Sequence, residues 1–343
     1  MTDEATRWLS CHVFYHGDPD PLLAGLLLPM VDGLRARGLA RQAFFLRHWE
    51  RGPHVRVRLR VADADADAVR DEVERTVTGY LREHPGPSGL EPEKVRDSLR
   101  HLSRLEHGTD EIVQVTEPEP PNSLRWIDYT PEWAKYGGPR GVAIAEKVFD
   151  GSSRLTAEVI RTISVDRARL GVSLQLLLLS ARALGLDPAA RAVFLRHYRE
   201  RWTPYVPDPD RLFAAWDGQY RHQEGTYRAL LRSVDRGDPV GGGLGQAWER
   251  LLGDALADLR PLVAAREVWP GEVAPQAPTF VALAALVCQY LHTTNNRMNV
   301  RPQGECFVAY LGHRAALDLA GAATPAGTDA ADATMSTSRS SHA

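Results

Sequence analysis

Hydrophobic and polar positions alternate in the first part of the chain. The segments WLSCHVFYHG (8–17), QAFFLRHWE (42–50) and HVRVRLRVA (54–62) are rich in β-branched and aromatic residues, which is typical of strands. The second and third flank RGP, so we predict a β-hairpin there. Between the first and second, DPDPLLAGLLLPMVDGLRARG predicts a helix with Asp20 as N-cap, Pro21 at its first position and Gly38 at its end.

A helical period dominates the rest of the chain. Apolar positions spaced by three and four predict a helix over about 64–84 and, after Pro139, almost only helices joined by short Gly, Pro and Asp segments. We interpret the glycine-rich VGGGLG (240–245) as a loop between helices, because it follows no predicted strand and lacks the Lys-Ser/Thr pair of a phosphate-binding loop.

These elements predict the α+β class: a small amino-terminal sheet-and-helix layer followed by a larger all-helical subdomain. We place the α+β subdomain at 1–120, with a basic strand and a sheet edge that would accept an added peptide strand. The helical subdomain, at 121–321, would complete an active-site cavity. The tail at 322–343 lacks the apolar residues needed to offset ordering entropy and is predicted to be disordered.

Composition and charge limit the classes of binding partner that we expect. A formal net charge of −3 over 343 residues gives no global attraction for nucleic acid, so an anion site must be local. The start has no signal-peptide pattern, and the longest apolar run, FVALAALVCQYL, is too short to cross a bilayer. Three scattered cysteines favour a reducing compartment. We expect a cytoplasmic protein with no nucleic acid and no membrane partner.

The basic strand HVRVRLR presents an unusual face. His54, Arg56, Arg58 and Arg60 alternate with valines and a leucine, so all four would project from one side of a strand. Guanidinium groups are not buried without partners. Two interpretations stay open: a solvated edge strand protected by charge, or a face that binds an anionic ligand.

A second segment, YTPEWAKYGGPRGVAIAEKVFDGSS (129–153), contains a tight turn before a helix. Tyr136 precedes two glycines, a pattern that indicates a sharp turn or a close approach of the backbone. Glu132 and Lys135 are three residues apart, so they either face a common pocket or form a solvated ion pair. Both interpretations remain open.

A third segment, CQYLHTTNNRMNVRPQGE (288–305), carries a polar stripe on an otherwise apolar helix. Cys288, His292 and Asn296 are four residues apart and share a face, flanked by Thr293 and Arg297. The stripe would line a polar cavity, or the histidine would be hydrogen-bonded inside a bundle. Cys288 and His292 have the spacing of metal ligands, but no convincing fourth ligand follows, and we expect no metal site.

In this order, the segments FFLRHWERGPHVRVRLR, PEWAKYGGPRGVAIAEKVFDGSS and LHTTNNRMNV…GE resemble the carboxy-terminal domain of the lantibiotic dehydratases, also called the thiopeptide-type bacteriocin biosynthesis family. The resemblance extends from Trp8 to about Leu319. The large glutamylation domain of full-length dehydratases is missing, so we expect a stand-alone member.

The resemblance implies one of two reactions on a ribosomal precursor peptide with a leader, and no cofactor. One is glutamate elimination from a glutamylated Ser or Thr, for which the family's groups match Arg56, Arg58, His292 and Glu132. Lys135 stands where elimination domains usually have arginine, and lysine lacks the bidentate fork that grips a carboxylate. The other reaction is pyridine synthesis, a formal [4+2] aza-cycloaddition of two dehydroalanines.

We prefer pyridine synthesis, with elimination as the alternative and a non-catalytic leader-peptide-binding protein as a third. Cycloaddition needs donors, a base and a near-attack arrangement more than strong acid–base groups. The other expected partner is a pathway enzyme such as a glutamylating dehydratase subunit. The expected catalytic residues are His292, Tyr290, Arg56, Arg58, Asn296 and Arg297. The expected substrate-binding residues are His54, Glu132, Lys135, Tyr136, Thr293 and Glu146.

Overall fold

The structure, a computed structural model, describes residues 5–87, 93, 96, 97, 100, 103, 104 and 118–323. The tail predicted at 322–343 lies outside these residues except for its first two positions. Within the described part of the chain, none of the helices has both the length and the apolar character needed to cross a bilayer.

The described chain divides into two compact units. Unit 1 comprises 1–131, 149–169 and 293–300, and unit 2 comprises 132–148, 170–292 and 301–343. Two segments from the helical part of the sequence therefore belong to the unit that contains the sheet.

Unit 1 is built on a four-stranded antiparallel sheet. Its strands are β1 (Thr6–Phe14), β2 (Gln42–His48), β3 (His54–Ala62) and β4 (Ser123–Trp126), in the spatial order β2-β3-β1-β4. The predicted hairpin between β2 and β3 is confirmed. Because β3 lies between β2 and β1, it is an interior strand, and the interpretation of its basic face as edge protection is wrong.

One face of this sheet forms the core of unit 1. Val55, Val57, Leu59 and Val61 of β3 are at most 1% exposed, as the alternation predicts. They pack with the apolar residues of a helical segment made of α1 (Asp20–Leu22), a π-helical turn (Leu23–Leu27) and α2 (Leu28–Ala36), and with those of α3 (Ala66–Glu83). Burying this apolar face is the main source of stability of the layer.

The start of the first helix differs from the prediction. The helix begins at Asp20, its N-cap is Pro19, and the Asp20 carboxylate makes no capping bond. Instead that carboxylate pairs with Arg47 on β2 and lies 2.6 Å from Nη2 of the buried Arg169. Leaving these two guanidinium groups without a carboxylate would cost more free energy than leaving the helix end uncapped, because an uncompensated buried charge is costly.

The outer edge of β2 is closed by side chains. Three alternate residues, Ala43, Phe45 and Arg47, turn their backbone N–H and C=O groups away from β3, and each group has a side-chain partner. These partners are Asp150 and Arg35 for Ala43, Ser153 and Arg297 for Phe45, and Asn296 twice for Arg47. No backbone group on this edge is left to pair with an added strand.

Unit 2 is helical in its described residues, and α5 and α10 continue into unit 1. The helices that follow β4 are α4 (Trp133–Tyr136), α5 (Pro139–Thr162), α6 (Asp166–Ala183), α7 (Pro188–Trp202), α8 (Pro209–Asp235), α9 (Gly242–Ala264), α10 (Thr279–Arg297) and α11 (Pro302–Ala323). The α+β class is confirmed. One helix, α9, begins inside the glycine-rich segment that we interpreted as a loop, after Gly241 in the left-handed conformation.

Candidate active site

The face of the sheet opposite the core carries three histidine rings in mutual contact. His12 stacks on His54 with ring centroids 5.0 Å apart, and His48 lies 5.4 Å from His54. We refer to these three residues as the histidine cluster. His12 comes from β1, where the register pairs it with Arg56. Strand pairing therefore adds two histidines to the predicted basic face.

Hydrogen bonds determine the tautomer of His54. Its Nδ1 lies 2.8 Å from the Gly52 carbonyl oxygen and donates to it. Its Nε2 lies 3.1 Å from Arg56 Nε and must accept, because a guanidinium can only donate. The ring is therefore neutral, with its proton on Nδ1.

Burial keeps the histidine cluster uncharged. It lowers the pKa of His54 to about 4 and, with the charge of Arg56, that of His12 to about 2. The pKa of His48 lies well below its usual value for the same reasons. At neutral pH the cluster acts as hydrogen-bonding and stacking surface rather than as a source of positive charge.

The arginines of β3 have different surroundings. Arg56 Nη2 donates to Glu50 Oε2 at 2.9 Å, and the Arg58 guanidinium lies over the Tyr129 ring at 4.2 Å. Arg60 is exposed and binds Gln42 and Thr6. Along the strand, the charge of Arg56 is thus compensated, Arg58 makes a cation–π contact, and Arg60 is solvated.

The end of α10 that belongs to unit 1 binds the backbone of β2. The Asn296 amide exchanges two bonds of 2.9 Å with the backbone N–H and C=O of Arg47. Arg297, fully buried, donates to the Phe45 carbonyl at 2.8 Å and to Ser152 Oγ at 3.0 Å. Thr293 is also buried. A catalytic role for Asn296 or Arg297 would require these bonds to be exchanged for substrate.

In unit 2, His292 forms a hydrogen-bonded pair with a buried carboxylate. Its Nδ1 lies 2.7 Å from Glu305 Oε1, and its ring stacks on Trp202 at 4.3 Å. Glu305 is fully buried and also accepts from the Tyr198 hydroxyl, whereas the His292 side chain is 25% exposed. If Nδ1 donates to Glu305, Nε2 carries the lone pair that can accept a proton, the arrangement expected of a general base.

Tyr136, which precedes the predicted glycine turn in unit 2, stacks on Tyr290. The rings of Tyr136 and Tyr290 are nearly parallel, 7° apart, with centroids separated by 6.1 Å. Burial raises the pKa of the Tyr290 hydroxyl, so it remains a protonated donor. Gly137 has φ of +78°, and a Cβ there would lie 2.5 Å from the backbone nitrogen of Trp269. Both observations explain why glycine occupies this position.

The charged residues of the same segment lie in different environments. Lys135 Nζ donates to Glu132 Oε1 at 3.1 Å in a largely exposed pair, and Glu146 is buried. Among the described residues no group of three or more histidine, cysteine, aspartate or glutamate side chains is arranged to hold a metal ion.

The predicted site residues separate equally between the units. Unit 1 contains His54, Arg56, Arg58, Thr293, Asn296 and Arg297, and unit 2 contains Glu132, Lys135, Tyr136, Glu146, Tyr290 and His292. Within unit 1 the structure brings His54 and Arg56 into direct contact, and within unit 2 it brings together Tyr136 and Tyr290, and Glu132 and Lys135.

The partners of these residues were not predicted from the sequence. Glu305, Tyr198 and Trp202 surround His292, and His12, His48 and Glu50 surround His54 and Arg56. Glu305, His48 and Glu50 carried a signal, since they lie in the LHTTNNRMNV…GE and FFLRHWERGPHVRVRLR segments used for the family resemblance. The others depend on contacts between elements distant in sequence.

The protein has an α+β fold. One face of its sheet is apolar and the other is rich in histidine and arginine, and the helices that follow in the chain carry a histidine–glutamate pair. The chain belongs to the family described as lantibiotic biosynthesis dehydratase C-term, whose model matches residues 8–316. The family resemblance inferred from the sequence is confirmed.

Solved structures share this fold. Pyridine synthase TbtD from thiomuracin biosynthesis is 23% identical, with a TM-score of 0.74 over 92% of this chain and 99% of that chain. TsrL is 18% identical, with a TM-score of 0.67 over 93% and 97%. The tRNA-dependent lantibiotic dehydratase MibB from Microbispora sp. 107891 is 18% identical, with a TM-score of 0.58 over 92% of this chain and 28% of MibB. No curated protein sequence matches the chain.

Proposed function

We propose that this protein is a pyridine synthase of thiopeptide biosynthesis. It would catalyse the formal [4+2] aza-cycloaddition of two dehydroalanines in a modified precursor peptide, closing a six-membered nitrogen heterocycle and a macrocycle with loss of water and of the leader peptide. Family membership and the fold shared with TbtD support this class of substrate.

One observation favours cycloaddition over glutamate elimination: the cationic side chains that match the elimination motif already have protein partners. Arg56 is paired with Glu50, and Lys135 with Glu132, while Arg58 lies on Tyr129. Elimination must stabilise a departing glutamate carboxylate, which would have to compete with these partners. Cycloaddition creates no such anion, so polarised donors and a held geometry are sufficient.

In this proposal the amide of one dehydroalanine tautomerises to its imidic acid form. His292, oriented by Glu305 in unit 2, would remove the amide proton, which returns to the amide oxygen to complete the imidic acid. Arg56 and Arg58 of unit 1 would donate hydrogen bonds to the peptide. Tyr290 would act as a protonated donor. Binding both alkenes of one peptide in a near-attack arrangement supplies most of the acceleration, since such positioning is worth up to about 7–11 kcal/mol.

Glutamate elimination is the second candidate, and the His292–Glu305 pair is the observation that favours it. A partly exposed histidine held by a buried carboxylate is suited to remove a Cα proton. Elimination by this base would produce dehydroalanine or dehydrobutyrine from a glutamylated residue.

Mass spectrometry separates the two candidates. The protein is incubated with a thiopeptide precursor that carries two dehydroalanines, and separately with a glutamylated precursor. We expect loss of water and release of the leader from the first peptide, and no loss of glutamate from the second. Loss of glutamate would assign the elimination reaction, and no change in either peptide would favour the leader-binding alternative.

Variants connect the reaction to the proposed residues. Arg56→Ala combined with Arg58→Ala should abolish turnover, whereas Arg60→Ala, a change on the same face of the same strand, should leave it within about twofold. Arg60 is the matched control because it is exposed and bonds only to Gln42 and Thr6 among the described residues. Full activity of the double variant would refute the proposed site.

A further inference from the structure

We propose that a cavity beside β2 in unit 1 binds an apolar side chain of the precursor peptide that is flanked by two carboxylates three residues apart. The cavity measures about 260 Å³. It is lined by the π-helical turn, by α2, by β2 and β3, and by the part of α5 that belongs to unit 1. The identification of the ligand as the precursor peptide rests on the proposed function. The type of ligand, an apolar side chain between two carboxylates, follows from the cavity and its rim alone.

The interior of the cavity suits an apolar group. Its apolar lining includes Leu23, Leu27, Val31 and Phe45, with Ala157 on the α5 side. An apolar cavity of about 150 Å³ in a protein core stays dry and binds benzene, so the space here is sufficient for a leucine or phenylalanine side chain. Water gains few hydrogen bonds on such walls, and an apolar ligand would not have to displace a bound network.

The rim on α5 carries positive charge on both sides of a small residue. Arg154, Ala157 and Arg161 occupy positions i, i+3 and i+7, so they share one face of the helix. The two arginine side chains are 56% and 38% exposed, and all three residues line the cavity. Seven residues of helix rise about 10 Å, close to the span of three residues in the polyproline II conformation, in which positions i and i+3 lie on the same side of the peptide.

The rim has more guanidinium groups than carboxylates. Arg154 binds Asp150 at 2.8 Å, and Arg161 binds Asp32 at 2.9 Å. Arg35 also lines the cavity, shares Asp150, and has an Nε without a hydrogen-bond partner among the described residues. Three guanidinium groups therefore share two carboxylates, Asp32 and Asp150, and the rim keeps a net positive charge. The rim therefore favours an acidic ligand.

The π-helical turn is an independent observation at the same place. It spans Leu23–Leu27, and both of its terminal leucines line the cavity. A π-helical turn inside an α-helix is rare and is found frequently at functional sites. Here it widens the helix where the ligand side chain would enter.

Two separated arginines favour a peptide over a lipid. A fatty acid has one carboxylate and would bind only one side of the rim. A peptide of the pattern Glu-apolar-apolar-Glu would present its two carboxylates to Arg154 and Arg161. One of its apolar side chains would enter the cavity at Ala157. This occupant matches both the spacing and the charge of the rim.

The test measures fluorescence anisotropy with a fluorescein-labelled synthetic peptide that contains Glu-Leu-Phe-Glu between Gly-Ser segments. We expect saturable binding that weakens with salt, and at least tenfold weaker binding when Leu-Phe is replaced by Ser-Ser or both Glu by Gln. Ala157→Phe, which fills the cavity, should weaken binding at least tenfold. Arg154→Gln with Arg161→Gln should do the same without disturbing the core.

A matched control is available on α3. Arg75 and Arg82 have the same i, i+7 spacing, are exposed, and bond only to carbonyls of their own helix among the described residues. Arg75→Gln with Arg82→Gln should leave binding within twofold. No binding of the probe to the wild-type protein, equal binding to the rim variants, or displacement of the probe by dodecanoate but not by unlabelled peptide would overturn the proposal.

Turnover distinguishes this inference from the proposed function. If both are correct, Ala157→Phe raises KM for the dehydroalanine peptide with its binding segment and leaves kcat unchanged. If the protein lacks the cyclase activity, no turnover is seen with any variant, yet the anisotropy result still decides whether the cavity binds acidic apolar peptides.

Discussion

At the scale of single residues, a carboxylate orients the group most suited to proton transfer. Glu305 is fully buried and binds both His292 and Tyr198, so it is fixed from two sides. The neighbouring Trp202 ring restricts rotation of the imidazole by stacking. Glu305 is therefore a positioning residue for His292 under either candidate reaction.

Replacing Glu305 tests this role. Glu305→Leu removes the acceptor for Nδ1 and should lower turnover about 10- to 100-fold, whereas Glu305→Gln keeps an amide oxygen there and should lose less than tenfold. Nitrogen chemical shifts of His292 should show mixed tautomers in the leucine variant and one tautomer in the glutamine variant. Equal turnover and one tautomer in both variants would contradict the role.

The histidine cluster predicts how stability depends on pH. The folded-state pKa values of His12 and His54 lie below the usual value of 6.5, so the unfolded chain takes up these protons first as pH falls. Their contribution is fully present above about pH 6.5 and is lost as pH falls, down to about 4 for His54 and about 2 for His12. The free energy of unfolding should fall there by up to about 1.4 kcal/mol per pH unit for each histidine.

Urea titrations at several pH values check the slope. His12→Gln and His54→Gln should each flatten the fall in the free energy of unfolding between pH 6.5 and 4. His222→Gln, at an exposed histidine of α8, is the control and should leave the slope unchanged. An unchanged slope in all three variants would show that the cluster is not the cause.

At the scale of elements, the two edges of the sheet differ. The β2 edge is closed by side chains, so strand addition by a leader peptide, which we predicted for a sheet edge, is left with β4. The register of β4 with β1 turns the backbone groups of Leu124 and Trp126 away from the sheet. Docking at that edge remains a prediction.

Asn296 tests whether closing the β2 edge is structural or catalytic. Asn296→Leu leaves the Arg47 N–H and C=O without partners and should lower the free energy of unfolding by about 2–4 kcal/mol. Asn296→Asp keeps the acceptor for the N–H and should cost less. Unaltered stability of the leucine variant combined with lost turnover would instead support the predicted catalytic role.

At the scale of the whole molecule, two helices belong to both units. The division between the units falls within α5, at 148/149, and within α10, at 292/293. Melting one unit would therefore break both helices in mid-course, and interrupting a helix forfeits the cooperativity of its backbone bonds. The chain is expected to unfold as one cooperative unit.

Urea unfolding followed by two signals checks this expectation. Far-ultraviolet circular dichroism and tryptophan fluorescence should give the same midpoint. Asn296→Leu, which weakens unit 1, should lower both midpoints together. Separate midpoints, or a shift in only one signal, would show that the units unfold independently.

Particular elements show how much of the fold was predictable. The β2–β3 hairpin and α3 follow from periodicity within a few residues, because a strand or helix that buries one face needs its apolar side chains in that period. Asp20 was misassigned as a cap because its partners, Arg47 and Arg169, are distant in the chain. The start of α9 was missed because glycines favour loops, and Gly241 in fact precedes the helix.

The sequence alone determined the class of fold, the family and the two segments that contain His292 and the β3 arginines, because local periodicity and ordered motifs carry that information. Only the tertiary structure decided which partners these residues have. It placed β3 inside the sheet, set His12 beside Arg56, and joined Glu305 to His292 across a break between helices. The physical reason is that strand order and helix packing depend on contacts between distant residues, which no local pattern specifies.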